Sequence, residues 1–126
     1  MPDAERAWAW RVAAKSRSRV STEELHPVAL ELYGELVEAT ERLGATLILV
    51  TLPGLTPRDD TIRAARALRV PLMRFDRPDR HPELYRMEDR YDRYHLNHSG
   101  ALAFTRALAE RFASAHSRAR AHAAGD

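Results

Sequence analysis

The sequence contains no cysteine. Disulfides, thiolate catalysis and cysteine-ligated zinc are thereby excluded, while the compartment stays undecided because cysteine-free chains suit cytosol and periplasm alike. Lysine is almost missing as well: of twenty basic residues, one is lysine and nineteen are arginine. Net charge is small too, since eighteen acidic residues bring the balance to +2 despite a pI of 9.4. The arginines are interleaved with Asp and Glu over most of the length. A nucleic-acid binder gathers its cations into a patch, so no nucleic-acid partner is expected. The locally basic stretch "SRARAH", 117–122, is explained by cations complementing the C-terminal end of a helix dipole. Long hydrophobic runs are also lacking. "ATLILVTLPG", from Ala45, is the longest apolar stretch and about half of the ~20 residues that cross a bilayer. The segment after Met1 carries Asp3 and Glu5 with no continuous apolar core, so neither a membrane span nor a signal peptide is expected in this chain.

What is present fits one folded domain: 126 residues, 44% apolar and 30% charged. Residues 1–20, "MPDAERAWAWRVAAKSRSRV", read as a weak helix or linker anchored by Trp8, Trp10 and Val12. Ser21 and Thr22 are N-cap residues with Glu24 three after Ser21, and Val28, Leu32, Leu36, Val37 and Leu43 recur at helical spacing before Gly44. The pattern predicts a helix over 23–43. "ATLILVTL", 45–52, has no polar alternation and reads as a strand buried on both faces. Thr56 as cap and Pro57 at the first helical position predict a helix over 57–69, and "VPLMRFD" predicts a strand over 70–75. Helix, strand, helix, strand is the α/β signature. A polar, aromatic connection broken by Pro78 and Pro82 follows, then a helix over 98–115 with Leu102, Phe104, Thr105, Leu108 and Phe112 as its stripe, fraying into a basic tail at 117–126. Two strands are too few to stand alone. Part of a sheet is missing from this pattern.

Ligands of open parallel sheets bind beyond the carboxyl ends of the strands, which is where "PGLTP" and "YDRYHLNHSGA" fall. The second stretch holds Asp92, His95 and His98. As a metal site it is short of ligands: zinc needs three or four, and His26, His81, His116 and His122 are scattered without partner spacing. As an acid–base pair, Asp92 three residues before His95 is placed to hold the imidazole in the tautomer of a general base. As plain structure, Asn97 caps the last helix and the histidines are solvated. Tyr85, Tyr91 and Tyr94 either wall a pocket or supply burial with a polar tip. Asp59 and Asp60 suit a helix N-terminus.

"DRYHLNHSGA", Asp92 to Ala101, followed by "LAFTRALAERF", resembles the final block of the SGNH/GDSL hydrolase superfamily. It is most similar to the branch containing D-alanyl-lipoteichoic acid D-alanine transfer proteins and alginate O-acetylation proteins, where D-x-x-H-L-N-x-x-G-A precedes the last helix. The upstream helix ending in Gly44, "ATLILVTLP" and "DRPDRHPELY" extend the likeness over 27–112. The resemblance implies a partial flavodoxin-like three-layer fold, with 21–116 as the C-terminal half of the domain. It implies ester hydrolysis or O-acyl transfer on an acyl-ester small molecule or glycan, with no metal and no cofactor. His95 becomes the base and Asp92 its orienting acid, Asn97 and Gly100 shape the turn into the helix, and His98 and Ser99 fall at variable positions. The family's G-D-S nucleophile block and G-x-N-D oxyanion asparagine are nowhere in the sequence, and Ser16, Ser18, Ser21, Ser99, Ser114 and Ser117 follow no buried strand and small-residue turn. Losing such a serine costs ~10⁶-fold in rate, so the chain alone is expected to be inactive, as a truncated, split or degenerate homologue. The alternative is a non-catalytic α/β interaction or oligomerisation domain derived from that fold, a homo-oligomer being one form of it.

Overall fold

A computed structural model describes residues 23–55 and 59–124, with side chains through Arg118. In chain order it has α1 (Pro27–Arg42), β1 (Leu49–Thr51), α2 (Asp60–Leu68), β2 (Leu72–Arg74), 3₁₀ turns at Pro82–Leu84 and Met87–Asp89, and α3 (His98–Ala124). Among the described residues the architecture is α/β, with two parallel strands and three helices, and with Leu49, Val50 and Thr51 opposite Leu72, Met73 and Arg74.

α1 begins four residues later than the expected start at 23. The reason is Pro27, which forces the residue before it out of helical geometry; His26 sits at φ −53°, ψ 134°. Its Nδ1 accepts from the Val28 N–H at 3.3 Å, so the cap is a histidine and not Ser21 or Thr22, which lie outside the described residues. The far end is as expected: Gly44, at φ 66°, donates to Glu41 O, and Ala45 donates to Thr40 O at 3.1 Å, a Schellman closure.

α2 is described from Asp60, and the expected cap and first residue, Thr56 and Pro57, lie outside the described residues. Its start is tied down by Arg63, which pairs with Asp59 (3.1 Å) and Asp60 (2.9 Å) and donates to the Glu23 and Glu24 carbonyls. It ends on Arg69, a non-glycine residue in the left-handed region at φ 55°. That conformation costs an L-residue ~1–2 kcal/mol, against ~0.5–1 kcal/mol of extra chain entropy for glycine. Arg69→Gly should therefore raise stability by about 0.5–1 kcal/mol, read from the urea unfolding midpoint.

The strands are shorter than the expected 45–52 and 70–75. Pro71 and Pro53 bracket the ladder, and neither has an N–H to extend it, although Pro71 O still accepts from Leu49 at 2.9 Å. Side chains alternate across the pair. Leu49 and Leu72 join Leu25, Ala29, Tyr33, Ala64 and Ala65 of the α1 and α2 side, while Val50, Met73 and Phe75 join Phe104, Ala107 and Leu108 of α3. Helices thus cover both faces. At the carboxyl ends the strands are cross-linked by Asp76, which accepts from the Thr51 hydroxyl (2.7 Å) and from Arg74 Nε and Nη2 (3.0 and 2.8 Å). Burial pushes the Asp76 carboxyl up, and Arg74 and Thr51 outweigh it, leaving its pKa below the ordinary value.

Two apolar stripes pack differently from their spacing. On α1, Ala29 and Tyr33 meet the core, while Val28, Leu32 and Leu36 stand in solvent. On α3 the packed face is Ala103, Phe104, Ala107, Leu108 and Ala115, with the Phe104 ring edge-on to Phe75 at 5.3 Å, whereas Leu102 and Phe112 are exposed. α3 also runs on to Ala124, beyond the expected end near 115, through an alanine-rich stretch of high helix propensity. Leu49 N–H and Thr51 C=O both face β2, so Val50 turns its backbone groups to the other side, where β1 has no strand neighbour among the described residues.

Candidate functional site

The connection after β2 is packed, not loose. Phe75, Pro78, Leu84 and Tyr85 are fully buried, and the Tyr85 hydroxyl donates to Phe75 O at 2.9 Å. Tyr85 is therefore a core residue, and Tyr91 and Tyr94 are exposed. The second 3₁₀ turn leads into a small closed loop. Arg90 bridges Leu96 in antiparallel fashion, and the Tyr91 N–H reaches His95 O at 3.1 Å. Leu55 N–H donates to Arg93 O at 3.2 Å, which sets this loop beside the one leaving β1.

Asp92 and His95 occupy the loop tip. Asp92 Oδ1 accepts from the backbone N–H of Tyr94 (2.7 Å) and of His95 (2.8 Å), a turn that a short carboxylate makes readily. The same carboxylate meets His95 Nδ1 at 3.0 Å through Oδ1 and 2.8 Å through Oδ2. These bonds hold the Asp92 carboxyl well below the ordinary range, at about 2, the His95 ring contributing most and the Tyr94 and His95 amides next. With Asp92 ionised, Nδ1 of neutral His95 carries the proton and Nε2 presents its lone pair. The His95 side chain is 72% exposed, and Nε2 has no hydrogen-bond partner among the described residues. The pair can orient an imidazole and accept a proton at Nε2.

Asn97 is the N-cap of α3 that the sequence predicts. Its Oδ1 accepts from Gly100 N–H at 3.1 Å and from the Ser99 hydroxyl at 2.8 Å, and its Nδ2 donates to Glu88 O at 2.6 Å. Its own N–H donates to Asp89 O at 2.9 Å. Ser99 also bonds Asp89 Oδ1, so its hydroxyl is engaged in the cap. Gly100 is buried against the 87–89 turn, where an added Cβ would lie 2.2 Å from Asp89 O. His98 is exposed at the first position of α3 and bonds to neither Asp92 nor His95. Among the described residues no three His, Asp or Glu side chains converge as metal ligands, and no helix is long and apolar enough to cross a membrane.

Two features escape sequence reading. Arg90 is buried among backbone carbonyls and an aromatic ring, yet it looks like any of nineteen arginines. Asp76 is joined to Thr51 across twenty-five positions, a pairing that only the strand register reveals. Comparison with protein-family models, with curated proteins and with solved structures found no match.

Proposed function

We propose that this chain supplies the acid and base of an SGNH-type ester hydrolase or O-acyltransferase, acting with a serine nucleophile carried outside these residues. The observation that carries the reading is the 2.8 Å contact between Asp92 and His95 Nδ1 in a loop beside the carboxyl end of β1, with Nε2 turned outward. Support also comes from the resemblance of "DRYHLNHSGA" to that superfamily's last block, and from the open side of Val50, where β1 has no strand neighbour among the described residues, which suits a β1 that is an interior strand of a longer parallel sheet. In the finer form of the reading, the α/β core is part of a flavodoxin-like three-layer domain.

In the reaction, His95 Nε2 takes the proton of the serine hydroxyl as its oxygen attacks the acyl carbonyl. Asp92 keeps the proton on Nδ1 and balances the imidazolium. The imidazolium then gives its proton to the departing alkoxide; water or an acceptor hydroxyl, deprotonated in turn at Nε2, takes the acyl group, and the imidazolium returns that proton to the serine oxygen as the acyl–serine bond breaks. The substrate is an acyl ester of a small molecule or glycan. The test is turnover of a short acyl ester by the chain alone and by the chain fused behind the serine-bearing half of an SGNH hydrolase. The expected outcome is background from the first and turnover from the second; a folded fusion that stays at background would sink the proposal.

A second reading has its own observation. Val28, Leu32 and Leu36, exposed along one side of α1, suit a non-catalytic interaction or self-association domain. Sedimentation decides it: a concentration-independent monomer speaks against self-association.

A further inference from the structure

The loop that carries Asp92 and His95 is anchored by a buried cation that the proposed chemistry does not use. Arg90 is only 8% exposed; its Nη2 donates to Leu84 O at 2.9 Å and to Pro53 O, and its Cζ lies 5.2 Å from the Tyr85 ring centroid. Nε and Nη1 have no hydrogen-bond partner among the described residues. Burial lowers the guanidinium's pKa, with Tyr85, Asp89 and Asp92 acting in the opposite direction. Such a group is costly, because its charge leaves water and two of its nitrogens find no acceptor among the described residues, costs that an apolar side chain filling the same space does not carry. Space-filling alone therefore does not call for arginine.

Position does. Three segments meet on this residue: the loop after β1 through Pro53 O, the first 3₁₀ turn through Leu84 O, and both ends of the catalytic loop through the Arg90–Leu96 bridge. Asp92 and His95 are bonded to each other and to the turn between them, so their pairing is local. Where the pair stands relative to β1 is not local. Resting on the reading of that pair as acid and base, we infer that Arg90 is a positioning residue that fixes the Asp92–His95 loop against the carboxyl end of β1.

The test compares Arg90→Met and Arg90→Lys with the parent chain by amide hydrogen exchange and thermal unfolding. Arg90→Met should fold with a lowered Tm, since Pro53 O and Leu84 O lose this donor, but with unchanged Phe75 N–H protection in the strand ladder. The Leu55 and Tyr91 amides, which bond Arg93 O and His95 O, should exchange at least ~10-fold faster, because the loop has lost its anchor. Arg90→Lys should restore part of that protection. In the fused enzyme, Arg90→Met should lower kcat ~10–100-fold at unchanged KM, the mark of misplacement without lost binding. Unchanged Leu55 and Tyr91 protection in a folded Arg90→Met chain overturns the inference, and so does failure of both variants to fold, which makes Arg90 a requirement of the fold. The exchange measurement needs no turnover. An inert fusion with altered exchange removes the hydrolase reading alone, and an active fusion with unaltered exchange removes this inference alone.

Discussion

Replacing His95 by alanine in the serine-complemented chain should lower kcat by roughly 10⁴ to 10⁶-fold with little change in KM, because a base that acts only as the transition state forms contributes nothing to ground-state binding. Asp92→Asn is the sharper experiment. The amide keeps the shape but its NH₂ faces Nδ1, so the imidazole is driven to carry its proton on Nε2, where it can no longer take one from serine. A loss of ~10⁴-fold is the order found when this is done in serine hydrolase triads. The tautomer can be read directly in the chain alone from ¹⁵N shifts of the His95 ring: Nδ1–H in the parent, Nε2–H in Asp92→Asn. Full activity in the His95→Ala fusion, or the same tautomer in both chains, would remove the roles assigned here.

The same pair makes a pH statement with a definite sign. The Asp92 carboxyl is held down at about 2 in the folded chain. A depressed carboxyl adds stability that is fully present above its unfolded value of about 3.9 and disappears as pH falls through the folded value. The contribution of the Asp92 carboxylate to the turn through 92–95 should therefore be fully present above about pH 4 and be lost between about pH 4 and 2. Carboxyl ¹³C shifts of Asp92 measure this, and a midpoint near 4 would mean that the His95 ring and the two amides do not engage it in solution.

Gly100→Ala should cost about 3 kcal/mol or more, the upper end of what overpacking does to a well-packed site. The new methyl would fall 2.2 Å from Asp89 O and 3.2 Å from Asp89 Cβ, and the nearest of these is backbone that cannot rotate away. Relief requires moving the 87–89 turn off α3. That breaks the Asn97 N–H to Asp89 O bond, the Asn97 side-chain bond to Glu88 O and the Ser99 bond to Asp89 together. A built-in control sits on α1, where nothing lies within 4 Å of a Cβ added to Gly34. Gly34→Ala should raise stability by about 0.5–1 kcal/mol, since it removes only the entropy of a mid-helix glycine. Urea titrations of both variants, giving opposite signs, check the pair of statements.

How much of this was legible beforehand depends on the range over which each feature is determined. The α/β alternation, the Gly44 stop, the Asn97 cap and the meeting of Asp92 with His95 are set within a few residues, and local patterns reveal them. The entry to α1 is less legible, because Ser21, Thr22 and Glu24 have the pattern of a capping box while Pro27 dictates where the helix begins. Helical spacing showed that α1 and α3 have apolar stripes but not which part is covered. Coverage depends on how many strands lie beneath, and two strands shelter Ala29 and Tyr33 but leave Val28, Leu32 and Leu36 in water. Arg90 and the Thr51–Asp76 bond join segments far apart in sequence, and only the fold brings them together.

The three-residue length of β1 has a further meaning for how the chain behaves in solution. Alternation leaves Val50 as the one residue of that strand whose backbone N–H and C=O point to the side that has no strand neighbour among the described residues, so an incoming strand finds a single rung. One rung does not repay the entropy of docking, and a sheet edge this short resists adventitious stacking of copies into fibrils.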